Sequence, residues 1–140
     1  MKLGLDIHGT LDDDPEFFLD IVMKLKRPNQ VHIVSGSPFT PEIVKQLKSY
    51  NNDCDEKWWD YYFSVVDYLL ALNVPYKIDE KGHYWFDDKE WTKTKGIYCA
   101  YHKIDLMVDD MQEYGEHFST DFINYKTDKD KILTKINKWV

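Results

Sequence analysis

The chain has 140 residues and a formal net charge of −7, with 43% hydrophobic and 31% charged residues, which is the size and composition of one globular domain, 1–140. The acidic balance argues against nonspecific binding to nucleic acid, which depends on lysine and arginine. Because no segment has the uninterrupted apolar run needed for export or membrane spanning, we expect a cytoplasmic protein without a membrane partner. In that compartment Cys54 and Cys99, far apart in sequence, should remain reduced.

Hydrophobic periodicity and turn residues predict an alternation of strands and helices, as in α/β proteins. In chain order the predicted elements are a strand over 2–6, a helix from Pro15 that ends before Pro28, a strand over 31–36, a helix that begins near Pro41, a strand near 61–65 with a short helix behind it, an irregular arm or small hairpin over 74–88, a helix over 89–102, a strand over 104–110, an edge strand over 122–125 and a helix over 128–139. The alternation predicts a mostly parallel sheet with helices on both faces.

Side chains suited to catalysis stand where three of the predicted strands end. They are Asp6, Ser35, Asp109 and Asp110. Because the carboxyl ends of parallel strands share one edge of the sheet, we expect these groups to converge on one crevice. Clustered carboxylates repel one another unless a cation joins them, and hard oxygen ligands with positions left for water and phosphate suit Mg²⁺. The sequence therefore predicts a magnesium and phosphate site at this edge.

Residues 3–12 resemble the first motif of the haloacid dehalogenase-like (HAD-like) phosphohydrolase superfamily, an apolar strand followed by Asp-x-Asp-Gly-Thr, with His8 in place of the second aspartate. Two further stretches, 34–36 (Val-Ser-Gly) and 107–110 (Met-Val-Asp-Asp), are similar to later motifs and follow in the family's order. The resemblance extends over essentially the whole chain and is closest to small capless nucleotidase-like members from bacteria or phages. It implies a doubly wound, three-layer Rossmann-like HAD fold with a minimal cap or none.

The resemblance also implies an activity, that of a Mg²⁺-dependent phosphomonoester hydrolase (a phosphatase or nucleotidase). Asp6 would be the nucleophile that attacks phosphorus and forms an aspartyl-phosphate, which water then hydrolyses. The Mg²⁺ ion would be held by the Asp6 side chain, by the backbone carbonyl of His8, and by Asp109 or Asp110.

Phosphate contacts follow from the same resemblance. A hydroxyl would hydrogen-bond a phosphoryl oxygen, a glycine-containing turn would bring backbone N–H groups to the phosphate, and a lysine would supply positive charge. The residues are Ser35 with Gly36, the turn Gly9-Thr10, and Lys95. Lys93 and Lys103 remain alternatives to Lys95, because the family's spacing before its last catalytic strand varies.

His8 leaves the activity open. In phosphatases of this superfamily the second aspartate of the first motif protonates the leaving oxygen and later activates water. Imidazole can do both near neutral pH, but it is larger than a carboxyl group and starts uncharged more often than charged. Three hypotheses therefore stand: a phosphatase that uses His8, a weakened phosphatase, and an inactive domain that binds phosphate, nucleotide or a protein partner.

The substrate is predicted only by class. Little sequence separates the first motif from Ser35, so a cap domain has no room there, and an open site fits either a bulky substrate or a small one covered by the arm or by a partner subunit. Tyr84, Trp85 and Trp91 could stack on a base, which would favour a nucleotide, although packing within the protein is the better explanation of these rings from the sequence alone. We expect a small phosphorylated substrate, with a nucleoside monophosphate as one candidate, and a monomer or homodimer.

Overall fold

A computed structural model describes residues 1–52 and 56–140, so the prediction for Cys54 lies outside the described residues. The elements in chain order are β1 (Lys2–Leu5), α1 (Pro15–Lys24), β2 (Gln30–Ser35), α2 (Pro41–Ser49), β3 (Tyr61–Ser64), α3 (Val65–Ala71), β4 (Tyr76–Ile78), β5 (Tyr84–Phe86), α4 (Asp88–Tyr101), β6 (Leu106–Asp109), α5 (Gln112–Gly115), β7 (Asp121–Asn124) and α6 (Tyr125–Asn137). None of the helices in these two ranges is both long and apolar enough to cross a membrane.

Five strands form a parallel sheet in the order β3-β2-β1-β6-β7. The chain builds outward from β1 to β3 and then crosses to the other side of β1 to add β6 and β7, so the direction of winding reverses between β1 and β6. Ligands of open α/β sheets bind beyond the strand ends at such a switch point. The predicted Rossmann-like α/β arrangement with a parallel sheet is confirmed at this level.

Apolar side chains cover both faces of the sheet, because successive residues of a strand point to opposite sides. One cluster contains Leu5, Ile33 and Val108 together with the buried faces of α1, α2 and α6. A second contains Val34, Met107 and Cys99, the last from α4. The central strands are thus buried on both faces, which explains why their sequences are apolar runs and do not alternate between apolar and polar residues.

Most predicted elements are present, with shifted ends. The edge strand predicted over 122–125 is β7, and the predicted arm is an antiparallel hairpin of β4 and β5. The strand predicted over 104–110 is shorter than expected and ends at Asp109, so Asp110 lies beyond it. Helix α6 begins at Tyr125, where the Asn124 side chain accepts a hydrogen bond from the Lys126 N–H, but Asp128 has a non-helical backbone (φ −130°, ψ 29°), so the predicted start at 128 coincides with a kink in this helix. Helix α5 was not predicted.

Candidate functional site

Two buried carboxylates lie side by side at the centre of the sheet edge. Asp6 follows the last residue of β1, and Asp109 is the last residue of β6, its parallel neighbour. The ammonium group of Lys95 lies between them, with Nζ 2.9 Å from Asp6 Oδ1 and 2.7 Å from Asp109 Oδ2. The three side chains are at most 7% exposed. The structure therefore brings together three of the predicted site residues, Asp6, Lys95 and Asp109.

Lys95, rather than either alternative lysine, reaches the carboxylates. It lies on the inner face of α4, whereas Lys93 is 44% exposed and pairs with Glu90 on the outer face. Lys103 lies in the turn after α4 with a φ of 55° and is exposed. The difference between Lys93 and Lys95 is one of helical phase, since residues two apart point in different directions.

The cluster is buried and holds more negative than positive charge, and both conditions shift the pKa values of its members. Burial raises the pKa of Asp109 to about 7; Lys95 opposes this, and the nearby charge of Asp6 adds to it. Burial likewise raises the pKa of Asp6, against the attraction of Lys95. Burial alone would lower the pKa of Lys95, but the two carboxylates outweigh it and raise that pKa above its ordinary value. Lys95 therefore stays charged, and it cannot neutralise both carboxylates.

A third carboxylate completes a group that could hold a cation. Oxygens of Asp6, Asp109 and Asp110 lie within 4.8 Å of one another. Asp109 uses both oxygens within the protein, one on Lys95 and one on the Met111 N–H at 3.1 Å. Asp110 is less constrained: Lys126 Nζ lies 3.5 Å from its Oδ2 and is mostly exposed. Of the two candidate ligands, Asp110 is thus better placed to bind a metal directly. An all-oxygen donor set fits Mg²⁺, although it does not distinguish Mg²⁺ from other hard cations.

The loop Ile7–Leu11 is shaped to accommodate that carboxylate. Gly9 has a φ of 76°, and a Cβ at this position would collide with the carboxylate of Asp110. The Gly9 N–H donates to Asp12 Oδ1 at 2.7 Å, which holds the turn. Thr10 is fully buried, and its hydroxyl has no hydrogen-bond partner among the residues that the structure describes. A buried hydroxyl without a partner is unfavourable by about 1–3 kcal/mol, so this hydroxyl does not stabilise the fold.

The end of β2 borders the same edge. Leu5 pairs with Ile33, so Ser35 lies one residue beyond the level of Asp6 on the neighbouring strand. Ser35 is fully buried, and its Oγ accepts a hydrogen bond from the Ser37 N–H at 3.1 Å. Gly36 has no room for a side chain, because a Cβ would meet the indole ring of Trp91.

His8 lies at the mouth of the site and not among the buried carboxylates. Its side chain is 58% exposed, with Nδ1 3.5 Å from Asp12 Oδ2 and Nε2 2.7 Å from Ser37 Oγ. The imidazole therefore spans from the loop after β1 to the segment after β2. A ring in this position can exchange a proton with a group that enters the mouth.

Three contributing residues were missed from the sequence. Asp12 and Ser37 hold His8, and Tyr114 lies beneath Lys95, whose Nζ is 4.7 Å from the ring centroid. The Tyr114 hydroxyl accepts a hydrogen bond from Trp91 Nε1 at 2.8 Å. Ser37 stands two residues after a predicted site serine, which was a signal available in the sequence, whereas nothing marked Tyr114, since its helix α5 was itself not foreseen.

No protein-family model, curated protein or solved structure matches this chain. What the site can do therefore has to be judged from its geometry: a buried lysine shared by two carboxylates, a third carboxylate open toward the mouth, a hydroxyl without a partner and an exposed imidazole.

Proposed function

We propose that the chain is a HAD-like, Mg²⁺-dependent phosphomonoester hydrolase that acts through an aspartyl-phosphate on Asp6. The observation that carries this proposal is the buried contact of Lys95 with Asp6 and Asp109, with Asp110 beside it, at the switch point of a parallel sheet. Residue types and chain order both agree with the motifs that the sequence resembles. A purely structural ion pair would not need the third carboxylate.

The residues present fit a bound Mg²⁺ ion. Asp6 and Asp110 would supply carboxylate oxygens, His8 would supply its backbone carbonyl, and Asp109 would orient the cluster through Lys95. When bound, the ion would supply charge neutralisation for the transferring phosphoryl group.

Asp6 would act as the nucleophile. Its carboxylate oxygen forms a bond to phosphorus while the bond between phosphorus and the leaving alcohol oxygen breaks, and a proton passes to that oxygen. Water then attacks the aspartyl-phosphate, releases inorganic phosphate and restores the carboxylate. Lys95 favours the ionised form of Asp6 and holds one of its oxygens at 2.9 Å, so that the other oxygen is left to attack.

His8 would carry the proton to the leaving oxygen and accept one from water. Asp12 and Ser37 contact its two ring nitrogens, and its exposure leaves the ring open to a leaving group at the mouth, which supports this role. Ser35 and the backbone N–H groups of the loop after β1 would bind phosphoryl oxygens.

A second candidate is a phosphate-binding domain without turnover. The observation that favours it is the position of His8, whose side chain is 58% exposed and bonded to the Ser37 hydroxyl, outside the buried carboxylate cluster. In this case the same cluster would bind a divalent cation and a phosphorylated ligand, but no proton donor would reach the leaving oxygen.

Hydrolysis of an aryl phosphate and a panel of nucleoside monophosphates, with and without Mg²⁺, tests the proposal. We expect Mg²⁺-dependent turnover in the wild type, its loss in Asp6→Asn, and unchanged turnover in Asp121→Asn, a matched exposed aspartate that pairs with Lys135 far from the site. Turnover that survives Asp6→Asn, or that needs no divalent cation, would contradict the aspartyl-phosphate mechanism.

The role of His8 is tested by His8→Asn against His83→Asn, a matched exposed histidine that also lies 3.5 Å from an aspartate. If His8 transfers the proton, His8→Asn removes the general acid and base and lowers kcat by roughly 10²–10⁴-fold, whereas His8→Asp keeps an acid–base group at this position and should lose less. An inactive wild type that gains turnover in His8→Asp would instead support the binding domain.

A further inference from the structure

Aromatic rings form a row that leads from the hairpin of β4 and β5 to the site. Tyr84 and Phe86 are nearly parallel, with centroids 6.5 Å apart and planes 18° apart. Phe86 and Trp91 are also nearly parallel, at 6.1 Å and 19°. All three rings are partly exposed. We call Tyr84, Phe86 and Trp91 the aromatic row.

The row belongs to one face of the hairpin. Tyr84 and Phe86 pair with Ile78 and Tyr76 across the two strands and so share a face with them, whereas Trp85 pairs with Lys77 and points to the other side. Tyr76 and Ile78 are about half exposed. This apolar face therefore lies open to solvent over much of its area, which does not fit a hairpin that serves only to cover a core.

The inner end of the row is joined to the phosphate side of the candidate site by two contacts. The indole of Trp91 packs on Gly36, the residue after Ser35, so closely that no Cβ would fit. Its Nε1 donates to the Tyr114 hydroxyl, and the Tyr114 ring lies against the Lys95 ammonium. Trp91 and Lys95 are also one helical turn apart on α4 and point to the same side. The plane of the Trp91 ring is thus fixed by the groups that surround the phosphate position.

We propose that the aromatic row binds the base of a nucleoside monophosphate, an inference that rests on the proposed function. A phosphate held near Ser35 and Lys95 leaves the organic part of the substrate at the mouth, next to Trp91. Flat rings with exposed faces bind nucleobases by stacking, and they tolerate different bases because every base has a π-face. The net charge of −7 opposes a polynucleotide and is compatible with one small phosphate compound neutralised by a metal ion.

Adenosine 5′-monophosphate and ribose 5-phosphate provide the test, because both present a phosphate on a 5′ primary alcohol and only the first carries a base. We expect kcat/KM to favour the nucleotide by roughly 10-fold or more. Trp91→Ala should remove most of this preference by lowering kcat/KM for the nucleotide much more than kcat/KM for ribose 5-phosphate. Trp85→Ala removes an exposed tryptophan from the opposite face and should change neither value.

A second variant guards against misfolding of Trp91→Ala. Tyr84→Leu keeps an apolar side chain at the outer end of the row, removes its ring, and should lower the preference in the same direction. Equal kcat/KM for the two substrates in the wild type would overturn the inference. The inference would also be overturned if the Trp91 and Tyr84 variants are folded, as judged by circular dichroism, and lower kcat/KM for both substrates by the same factor.

Calorimetric binding separates failure of this inference from failure of the proposed function. We expect Asp6→Asn, in the presence of Mg²⁺, to bind the nucleotide roughly 10-fold more tightly than ribose 5-phosphate, and to lose that difference when Trp91→Ala is added. A wild type without turnover whose binding still depends on the base would refute the hydrolase and retain the base site. Turnover of both substrates without any dependence on the base, in kinetics or in binding, would support the hydrolase and refute the base site.

Discussion

Replacing Lys95 by methionine should destabilise the protein strongly, although it adds no bulk. The ammonium group is buried and donates to Asp6 at 2.9 Å and to Asp109 at 2.7 Å. Methionine fills a similar volume without a charge, so the variant leaves two buried carboxylates facing each other. Removing one partner of a buried ion pair is expected to cost about 3–5 kcal/mol of unfolding free energy.

The same magnitude follows from protonation. Without Lys95, one further carboxyl group must take up a proton, because it stays buried in the folded state without a positive charge beside it. Near pH 7 that proton costs about 4 kcal/mol relative to an unfolded chain in which aspartate has its ordinary pKa, and near pH 5.5 it costs about 2 kcal/mol. The destabilisation should therefore shrink as the pH falls, since the unfolded pKa lies below both conditions.

Urea unfolding followed by circular dichroism measures this effect. The matched control is Lys93→Met, two residues away on the same helix, where the lysine is 44% exposed and pairs only with Glu90 among the described residues. We expect that control to change the unfolding free energy by less than about 0.5 kcal/mol. If Lys95→Met costs no more than Lys93→Met near pH 7, or if its cost does not fall near pH 5.5, then the described charge cluster is not what holds this edge together.

Three further predictions concern the same edge. Because the folded-state pKa of Asp109 is raised to about 7, the folded wild type binds more protons than the unfolded chain between about pH 4 and pH 7. Its unfolding free energy should therefore decrease as the pH rises through this range, by roughly 1 kcal/mol per pH unit, and Asp109→Asn should flatten that slope in urea unfolding. Thr10→Val removes a buried hydroxyl without a described partner, so it should raise the unfolding free energy by about 1 kcal/mol, as measured by urea unfolding. Gly9→Ala should weaken Mg²⁺ binding, since its Cβ would strike Asp110, whereas Gly82→Ala, with a similar φ of 81° and open space around it, should show only the strain of about 1–2 kcal/mol.

The arrangement of the site could be predicted where it depends on sheet topology. Residues at the ends of parallel strands must share an edge, so Asp6, Ser35 and Asp109 could be brought to one edge without knowledge of any contact. Strand β1 has a simple local signature, an apolar run that ends at a Gly-containing turn. The choice of Lys95 came from the family resemblance, whose variable spacing left Lys93 and Lys103 open, and the structure separates Lys95 from Lys93 by helical phase.

Other parts of the site could not be predicted because they depend on contacts between distant segments. The hydrogen bond between Ser37 and His8 joins two loops, and the packing of Tyr114 beneath Lys95 requires α5, a helix of four residues with little periodicity. The turn of α6 before the kink at Asp128 was not predicted, because it depends on the Asn124 cap and its apolar pattern is weak. Local sequence patterns carry little information about such contacts.

The charge imbalance of the site is itself an argument for a ligand. Lys95 can neutralise one of the two carboxylates that it contacts, and Asp110 adds a third negative group within 4.8 Å of them. A cluster selected only for stability would match its charges or replace them with apolar side chains, which is often equally stable. A divalent cation that binds the folded state and not the unfolded state would restore the charge balance and would stabilise the folded state by mass action. The unfolding free energy should therefore rise with Mg²⁺ concentration in the wild type and much less in Asp110→Asn. An identical rise in both proteins would mean that the cluster is not where the cation binds.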